Sequence, residues 1–176
     1  LYKVIYIPIT TLTVKEFYQA MASMLGETPS HKKFLLFQQI QNAIQNMYYE
    51  QRITPVIIVD EIHMAPITVL DDLRLLFNFK IDSENPFILI LSGQSQIRNK
   101  LQLAVNAPLK QRIAVKYVMQ GLKLEELPDY IGTRLKAAGL HENIFTQAAI
   151  EAIYSASKGA PRLVNSLATA SLMYAC

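Results

Sequence analysis

Pro55-Val-Ile-Ile-Val-Asp-Glu-Ile-His-Met64 determines the architecture of this chain. Its run Val56–Val59 is too short for a helix and rich in β-branched residues, which is typical of a strand buried on both faces of a parallel sheet. The run ends in two carboxylates, Asp60 and Glu61, and ligands of open α/β sheets bind beyond the carboxyl ends of the strands. One acid could hold Mg²⁺ through its water shell while the other polarises an attacking water. The alternative is that either acid only caps the next turn.

The composition favours a globular protein in a reducing compartment. The 176 residues are 51% hydrophobic and 18% charged, which is enough for a core and too apolar for disorder. A single cysteine excludes an intrachain disulfide and favours the cytoplasm. No run approaches the ~20 apolar residues needed to cross a bilayer, so we expect no membrane segment. The net charge of +3 permits contact with nucleic acid without arguing for it.

Strands and helices alternate in the first part of the chain. Strands are predicted at Leu1–Pro8, Phe87–Leu91 and Ile113–Met119 in addition to the central one. Capping-box patterns at Thr13–Glu16 and Thr68–Asp71 predict the starts of two helices. This alternation predicts an α/β fold, a parallel sheet with flanking helices.

From Leu122 onward the apolar period is helical only. Thr146 is predicted to cap one helix, and Pro161 to open the next, where the first turn tolerates proline. We therefore predict a boundary near Gly121, with an α/β part at residues 1–120 and a small helical part at residues 121–176.

Three further features suit a phosphate-handling enzyme, and two of them also have a plainer interpretation. Ser92-Gly93-Gln94 follows a predicted strand and could orient water, or could be an ordinary strand-ending turn. Arg112 precedes another predicted strand and could be a solvated or structural cation. Arg162 lies in a first helical turn, where the macrodipole disfavours a cation, so it calls for an anionic partner such as phosphate.

Together these features resemble those of an AAA+ ATPase. Four segments are similar in amino-acid sequence to ATPases of the ExeA/TniB/TnsC type. Those ATPases serve bacterial transposons, and related domains occur in secretion and pilus systems. Those segments are Thr54-Pro-Val-Ile-Ile-Val-Asp-Glu61, Leu89-Ile-Leu-Ser-Gly-Gln94, Leu109-Lys-Gln-Arg-Ile113 and Gly159-Ala-Pro-Arg-Leu-Val-Asn165. The resemblance covers essentially the whole chain.

The resemblance implies a role for each candidate residue. Asp60 and Glu61 would be the Walker B pair, with Asp60 holding Mg²⁺ through water and Glu61 directing the hydrolytic water. Either Ser92 or Gln94 would be the first sensor of the nucleotide. The two arginines, Arg112 and Arg162, would be the arginine finger and the second sensor.

The same resemblance implies the biological setting. ATP and Mg²⁺ would be the cofactors, and residues 121–176 would form a helical lid. Subunits would self-associate into a ring or filament on target DNA and recruit or activate a transposase. The alternative from the same family is an ATPase of a secretion or pilus system.

One departure from the family is the phosphate loop. The chain contains no Gly-x-x-x-x-Gly-Lys-[Ser/Thr], so we expect it to be truncated before Leu1 and to be inactive alone. The sequence is also compatible with two other interpretations. Asp60-Glu-Ile-His63 also resembles the DExH box of superfamily 2 helicases, but their Gln-x-x-Gly-Arg-x-x-Arg motif is not in the sequence. A degenerate AAA+ module could instead act as a non-catalytic scaffold.

Overall fold

The computed structural model describes residues 1–9, 13–76 and 85–175, and they divide into two compact units. The first unit ends at Val115 and the second begins at Lys116. The strands are β1 Tyr2–Pro8, β2 Thr54–Asp60 and β3 Ile88–Leu91. The helices of the first unit are α1 Val14–Met24, α2 Lys33–Gln45, α3 Ile67–Leu76, α4 Gln96–Gln102 and α5 Ala107–Arg112. Those of the second are α6 Leu127–Ala137, α7 Gln147–Ser157 and α8 Pro161–Ala175.

The described strands form one parallel sheet in the order β1-β2-β3. Strand β2 lies in the middle, with Ile58 opposite Tyr6 of β1 and Ile90 of β3. The carboxyl ends of all three strands therefore meet at one edge of the sheet. This arrangement confirms the predicted parallel α/β fold with flanking helices.

One face of the sheet forms the core of the first unit. Ile5, Ile7, Ile57 and Val59 are at most 3% exposed. They belong to one apolar cluster that also contains residues of α1, α2 and α3. Alternate residues of a strand point to opposite faces, so this face is made by every second residue of β1 and β2.

The other face of the sheet, here called the outer face, is largely open. Val4 is 64% exposed, and Ile88 and Ile90 are each 44% exposed. Val56 and Ile58 are half-buried. The prediction that β2 is buried on both faces is therefore wrong, because no element that the structure describes covers this face completely.

Capping patterns predicted one helix start correctly and misplaced another. Thr13 accepts the Glu16 N–H at 3.3 Å, and the Glu16 carboxylate accepts the Thr13 N–H at 2.8 Å, as a capping box requires. Helix α3 begins at Ile67, so Thr68 lies inside the helix and its predicted capping box is wrong. Beyond α2 the helix continues as a π-helical turn, Asn46–Glu50.

The predicted strand at Ile113–Met119 is wrong. These residues carry neither strand nor helix, and Val115, Tyr117 and Met119 are 83%, 84% and 86% exposed. Alternating β-branched and aromatic residues suit a strand, but a strand is stable only when a neighbour satisfies its backbone groups. None of the described strands pairs with this segment. The basic residues before it lie at the end of α5.

The second unit has its own helical core. Its buried residues are Leu127, Ile131, Phe145, Ile150, Ile153 and Val164. Thr146 caps α7 by accepting the Ala149 N–H at 3.3 Å, and α8 begins at Pro161, both as predicted. Within the described ranges, no helix combines the length and the apolar character needed to cross a membrane.

The two faces of the sheet differ in burial. Truncating adjacent residues of β1 should therefore lower the free energy of unfolding by very different amounts. Ile5→Ala should lower the free energy of unfolding by about 2–5 kcal/mol, because Ile5 is 3% exposed and truncation leaves a cavity. Val4→Ala, the matched control, should cost less than about 1 kcal/mol, because Val4 is 64% exposed. Urea denaturation of both variants checks this; equal losses would contradict the assigned faces.

Candidate active site

The carboxyl ends of the three strands place three polar side chains on the outer face. Asp60 lies two residues beyond Ile58, and Ser92 lies two residues beyond Ile90. Because side chains alternate along a strand, both point to the same face as Ile58, Ile90 and Tyr6. The sheet register therefore directs one residue from each strand to a common point.

Asp60 is the centre of this cluster. Its carboxylate accepts hydrogen bonds from the Tyr6 hydroxyl at 2.6 Å, the Glu61 N–H at 2.9 Å and the Ser92 hydroxyl. The Ser92 bond, followed by those of Tyr6 and Glu61, lowers the pKa of the Asp60 carboxyl, because each donor stabilises the charged form. The same contact with Asp60 raises the pKa of Tyr6. Asp60 is therefore held as an anion at the end of the central strand.

Glu61 adopts a left-handed backbone conformation, with φ 54° and ψ 33°. Few residues other than glycine do so, and such strain often marks a functional position. A 3₁₀ turn, Ile62–Met64, follows at once. The Glu61 side chain is 48% exposed, and its Oε2 lies 3.1 Å from Nδ1 of His63.

The turn that carries Glu61 is held from α4. The Lys100 Nζ donates to the carbonyl oxygens of His63 at 2.5 Å and of Ala65 at 2.9 Å. The Asn106 Nδ2 donates to the Lys100 carbonyl at 2.7 Å, and Asn106 is 1% exposed. A lysine on the helix after β3 thus fixes the backbone of the turn after β2.

The two candidates for the first sensor make different contacts. The Ser92 hydroxyl bonds directly to Asp60. The Gln94 side chain is exposed, and its backbone N–H lies 3.3 Å from Nδ1 of His63. Gly93 allows this approach, because a Cβ there would meet the His63 backbone nitrogen at 3.2 Å. Which of the two senses nucleotide stays a prediction.

Each of the two candidate arginines lies near one end of a helix. Arg112 is the last residue of α5 and is exposed. Arg162 is exposed near the start of α8, in the second unit. Their predicted roles as arginine finger and second sensor stay predictions.

Sequence reasoning missed Tyr6 and Lys100. Tyr6 could have been found only from the register of β1 against β2, which no local motif encodes. Lys100 lies four residues after the helix start at Gln96 and carries no motif of its own. Both act through long-range contacts.

The cluster fits a site for Mg²⁺ held partly by water. Magnesium prefers oxygen ligands and commonly uses one or two carboxylates together with substrate phosphates. Asp60 supplies an ionised carboxylate, and the Ser92 hydroxyl bound to it supplies a further oxygen. The described residues contain no group of three or more His, Cys, Asp or Glu that could form an all-protein metal cage.

Comparison with known proteins places the chain in a family. Residues 2–101 match the family described as AAA domain, which is more than half of the chain, so the protein belongs to that family. Over 121 residues it is 34% identical to General secretion pathway protein A of Aeromonas hydrophila. That match covers 68% of this chain and 22% of the relative, so the chain spans less than a quarter of the relative's length.

A solved structure of a RuvB mutant from Thermotoga maritima is also similar. It shares 21% identity, with a TM-score of 0.44, over 93% of this chain and 52% of that one.

The contact between β1 and Asp60 predicts a measurable pKa change. Tyr6→Phe removes one donor, so the pKa of the Asp60 carboxyl should rise toward its ordinary value of about 3.9. NMR titration of the side-chain carboxyl carbon measures it. Tyr2→Phe, on the same strand and face, is the control and should leave this pKa unchanged.

The same change has a stability consequence with a definite sign. A carboxyl with a depressed folded-state pKa adds stability above its unfolded pKa and loses it as pH falls through the folded value. Tyr6→Phe should therefore lose less stability than the parent protein on acidification. An unchanged Asp60 pKa would contradict the assigned hydrogen bond.

Proposed function

We propose that the complete protein is an ATPase that uses the carboxyl end of β2 as its catalytic centre. The observation that carries this proposal is the pair Asp60–Glu61. One acid is held as an anion by three donors, and its neighbour is strained, exposed and free of those donors. Membership in the AAA domain family supports the reaction class. If Asp60 and Glu61 only capped the next turn, neither the three donors to Asp60 nor the strained backbone of Glu61 would be needed.

The two acids have separate roles in this proposal. Asp60, with its charge maintained by Tyr6 and Ser92, would hold the water shell of Mg²⁺. Glu61, whose side chain is about half exposed, would orient a water and accept its proton. Mg-ATP, when bound, supplies the phosphoryl group that the water attacks. Ser92 or Gln94 would align that water as the first sensor.

In this proposal the complete protein binds the phosphates of ATP, and residues 1–176 alone do not. The 176 residues contain no Gly-x-x-x-x-Gly-Lys-[Ser/Thr], the loop whose backbone amides and lysine hold nucleotide phosphates. Residues 1–176 alone should neither hydrolyse ATP nor bind it tightly. Micromolar affinity for Mg-ATP by calorimetry on residues 1–176 would contradict this.

Substitution of the two acids separates their roles in the complete protein. Glu61→Gln should retain Mg-ATP binding but slow turnover by ~10²-fold or more, because an amide cannot accept the proton of water. Asp60→Asn should weaken the Mg²⁺-dependent part of binding instead. Steady-state kinetics and calorimetry measure the two effects. Asp71→Asn, on α3, is a matched control for loss of a carboxylate; parent turnover in both active-site variants would refute the assignment.

The arginine roles extend the same proposal. Arg112 would act as an arginine finger on nucleotide in a neighbouring subunit of a ring or filament, and Arg162 would be the second sensor. Mixing Arg112→Ala with Glu61→Gln protein tests the first role. Activity should return in part if some interfaces join an intact Glu61 to an intact Arg112, and no recovery in proven co-assemblies would refute it.

For the cellular role we propose a secretion-related ATPase. The similarity to General secretion pathway protein A supports it, within the part of that protein matched. A role in transposition, with target DNA and a transposase as partners, rests on motif resemblance alone. For either role we propose a cytoplasmic location.

Genetics distinguishes the two roles. If the role is in secretion, deletion of the gene should reduce secreted protein and leave transposition frequency unchanged. The Glu61→Gln allele should reproduce the deletion, whereas an Asp71→Asn allele should not. Reduced transposition with normal secretion, together with ATP-dependent binding of the purified complete protein to duplex DNA, would favour the transposition role instead.

A further inference from the structure

We propose that His63 is a positioning residue whose Nδ1 is shared between Glu61 and the sensor loop, residues 92–94, so that the loop controls the Glu61 carboxylate. This inference rests on the proposed function, since it assigns Glu61 a part in hydrolysis. Its structural core is independent of ATP. It concerns Nδ1 of His63 and the two groups beside it, the Glu61 carboxylate and the Gln94 backbone N–H.

Nδ1 of His63 lies 3.1 Å from Oε2 of Glu61 and 3.3 Å from the backbone nitrogen of Gln94. A carboxylate oxygen only accepts a hydrogen bond, and a backbone N–H only donates one. Nδ1 must therefore carry a proton to bind Glu61 and a lone pair to bind Gln94. A neutral imidazole offers one or the other, so the two contacts exclude each other within one tautomer.

The ring itself has little freedom to resolve this competition by moving. The His63 side chain is 5% exposed, and its backbone carbonyl is held by Lys100 at 2.5 Å. On the other side, Gly93 packs so closely that a Cβ there would lie 3.3 Å from Nδ1. Nδ1 must therefore exchange one hydrogen-bond partner, Glu61, for the other, Gln94, by a change of tautomer and not by displacement of the imidazole.

The consequence is a connection between the end of β3 and Glu61. The sensor loop contacts Asp60 directly through the Ser92 hydroxyl, and it reaches Glu61 only through His63, whose Nδ1 lies near the Gln94 N–H. When Gln94 binds Nδ1, the Glu61 carboxylate is released toward solvent. When the loop moves away, Nδ1–H holds Glu61 against the ring. Loop position thus sets whether Glu61 can orient water.

A spectroscopic experiment tests the shared nitrogen without nucleotide. Long-range ¹H–¹⁵N spectra of residues 1–176 report which ring nitrogen of His63 is protonated. Removing the acceptor by Glu61→Ala should shift the tautomer population toward the form with the proton on Nε2, because only Gln94 then competes for Nδ1. Glu125→Ala, in the second unit, should leave the population unchanged. No response to Glu61→Ala would overturn the proposal.

Kinetics of the complete protein test the positioning role. His63→Leu and His63→Gln should lower kcat by ~10-fold or more with the Kd for Mg-ATP unchanged, because a misplaced catalytic group affects the chemical step. His63→Asn, whose amide lies near the position of Nδ1, should restore part of the loss; Gln places its amide further out. His31→Leu, at an exposed histidine, is the control and should retain parent kinetics.

The results separate the two proposals. Parent kcat in His63→Leu, while Glu61→Gln remains slow, would refute the positioning role and leave the proposed ATPase intact. Parent turnover in Glu61→Gln would refute the ATPase assignment, and the tautomer response would still decide whether His63 and Glu61 are coupled. If His63→Leu does not fold, the tautomer measurement still decides the proposal, since it leaves His63 in place.

Discussion

The site depends on the hydrogen bonds by which neighbouring strands meet at Asp60. Tyr6 comes from β1, Ser92 follows β3, and Asp60 ends the strand between them. The register of the parallel strands brings these three side chains together, since Pro8 lies opposite Asp60 and Leu91 opposite Val59. A shift of one residue in either register would send a donor to the opposite face. The ionised state of Asp60 is therefore a property of the sheet rather than of the Asp-Glu sequence.

Local features of the fold could be predicted from the sequence because their causes are local. The caps at Thr13 and Thr146, and the helix start at Pro161, depend on backbone groups within a few residues. The strand before Asp60 is similarly clear, since a short β-branched run has few alternatives.

Apart from the capping box at Thr68, the failed predictions required knowledge of a distant partner. Residues 113–119 have the composition of a strand, yet the described sheet offers them no neighbour. Val4 has the residue type of a core position, but its face of the sheet is open. Tyr6 and His63 acquired their importance from register and packing, which one-dimensional patterns do not contain. Propensity indicates what a segment can become, and its neighbours decide what it does become.

The Gly-Ala-Pro-Arg segment of the second unit shows how one motif can combine structural and functional constraints. Gly159 has φ +74°, and a Cβ there would lie 1.9 Å from the carbonyl oxygen of Leu122. The glycine is therefore required for the backbone to pack against the start of the unit, whose Leu122 N–H donates to the Gly159 carbonyl at 2.8 Å. Pro161 begins α8. These needs account for the glycine and the proline, and leave the exposed Arg162 as the residue that a functional role would explain.

The energetics of the Glu61 turn favour a fixed backbone with a movable side chain. A left-handed conformation costs a non-glycine residue about 1–2 kcal/mol. The bond from the Glu61 N–H to Asp60 and the two bonds from Lys100 offset it, since hydrogen bonds to charged groups contribute about 1.5–3 kcal/mol each. With the backbone held at both ends, the remaining freedom of Glu61 lies in its side chain. The groups that decide where its carboxylate rests are then the solvent on one side and Nδ1 of His63 on the other.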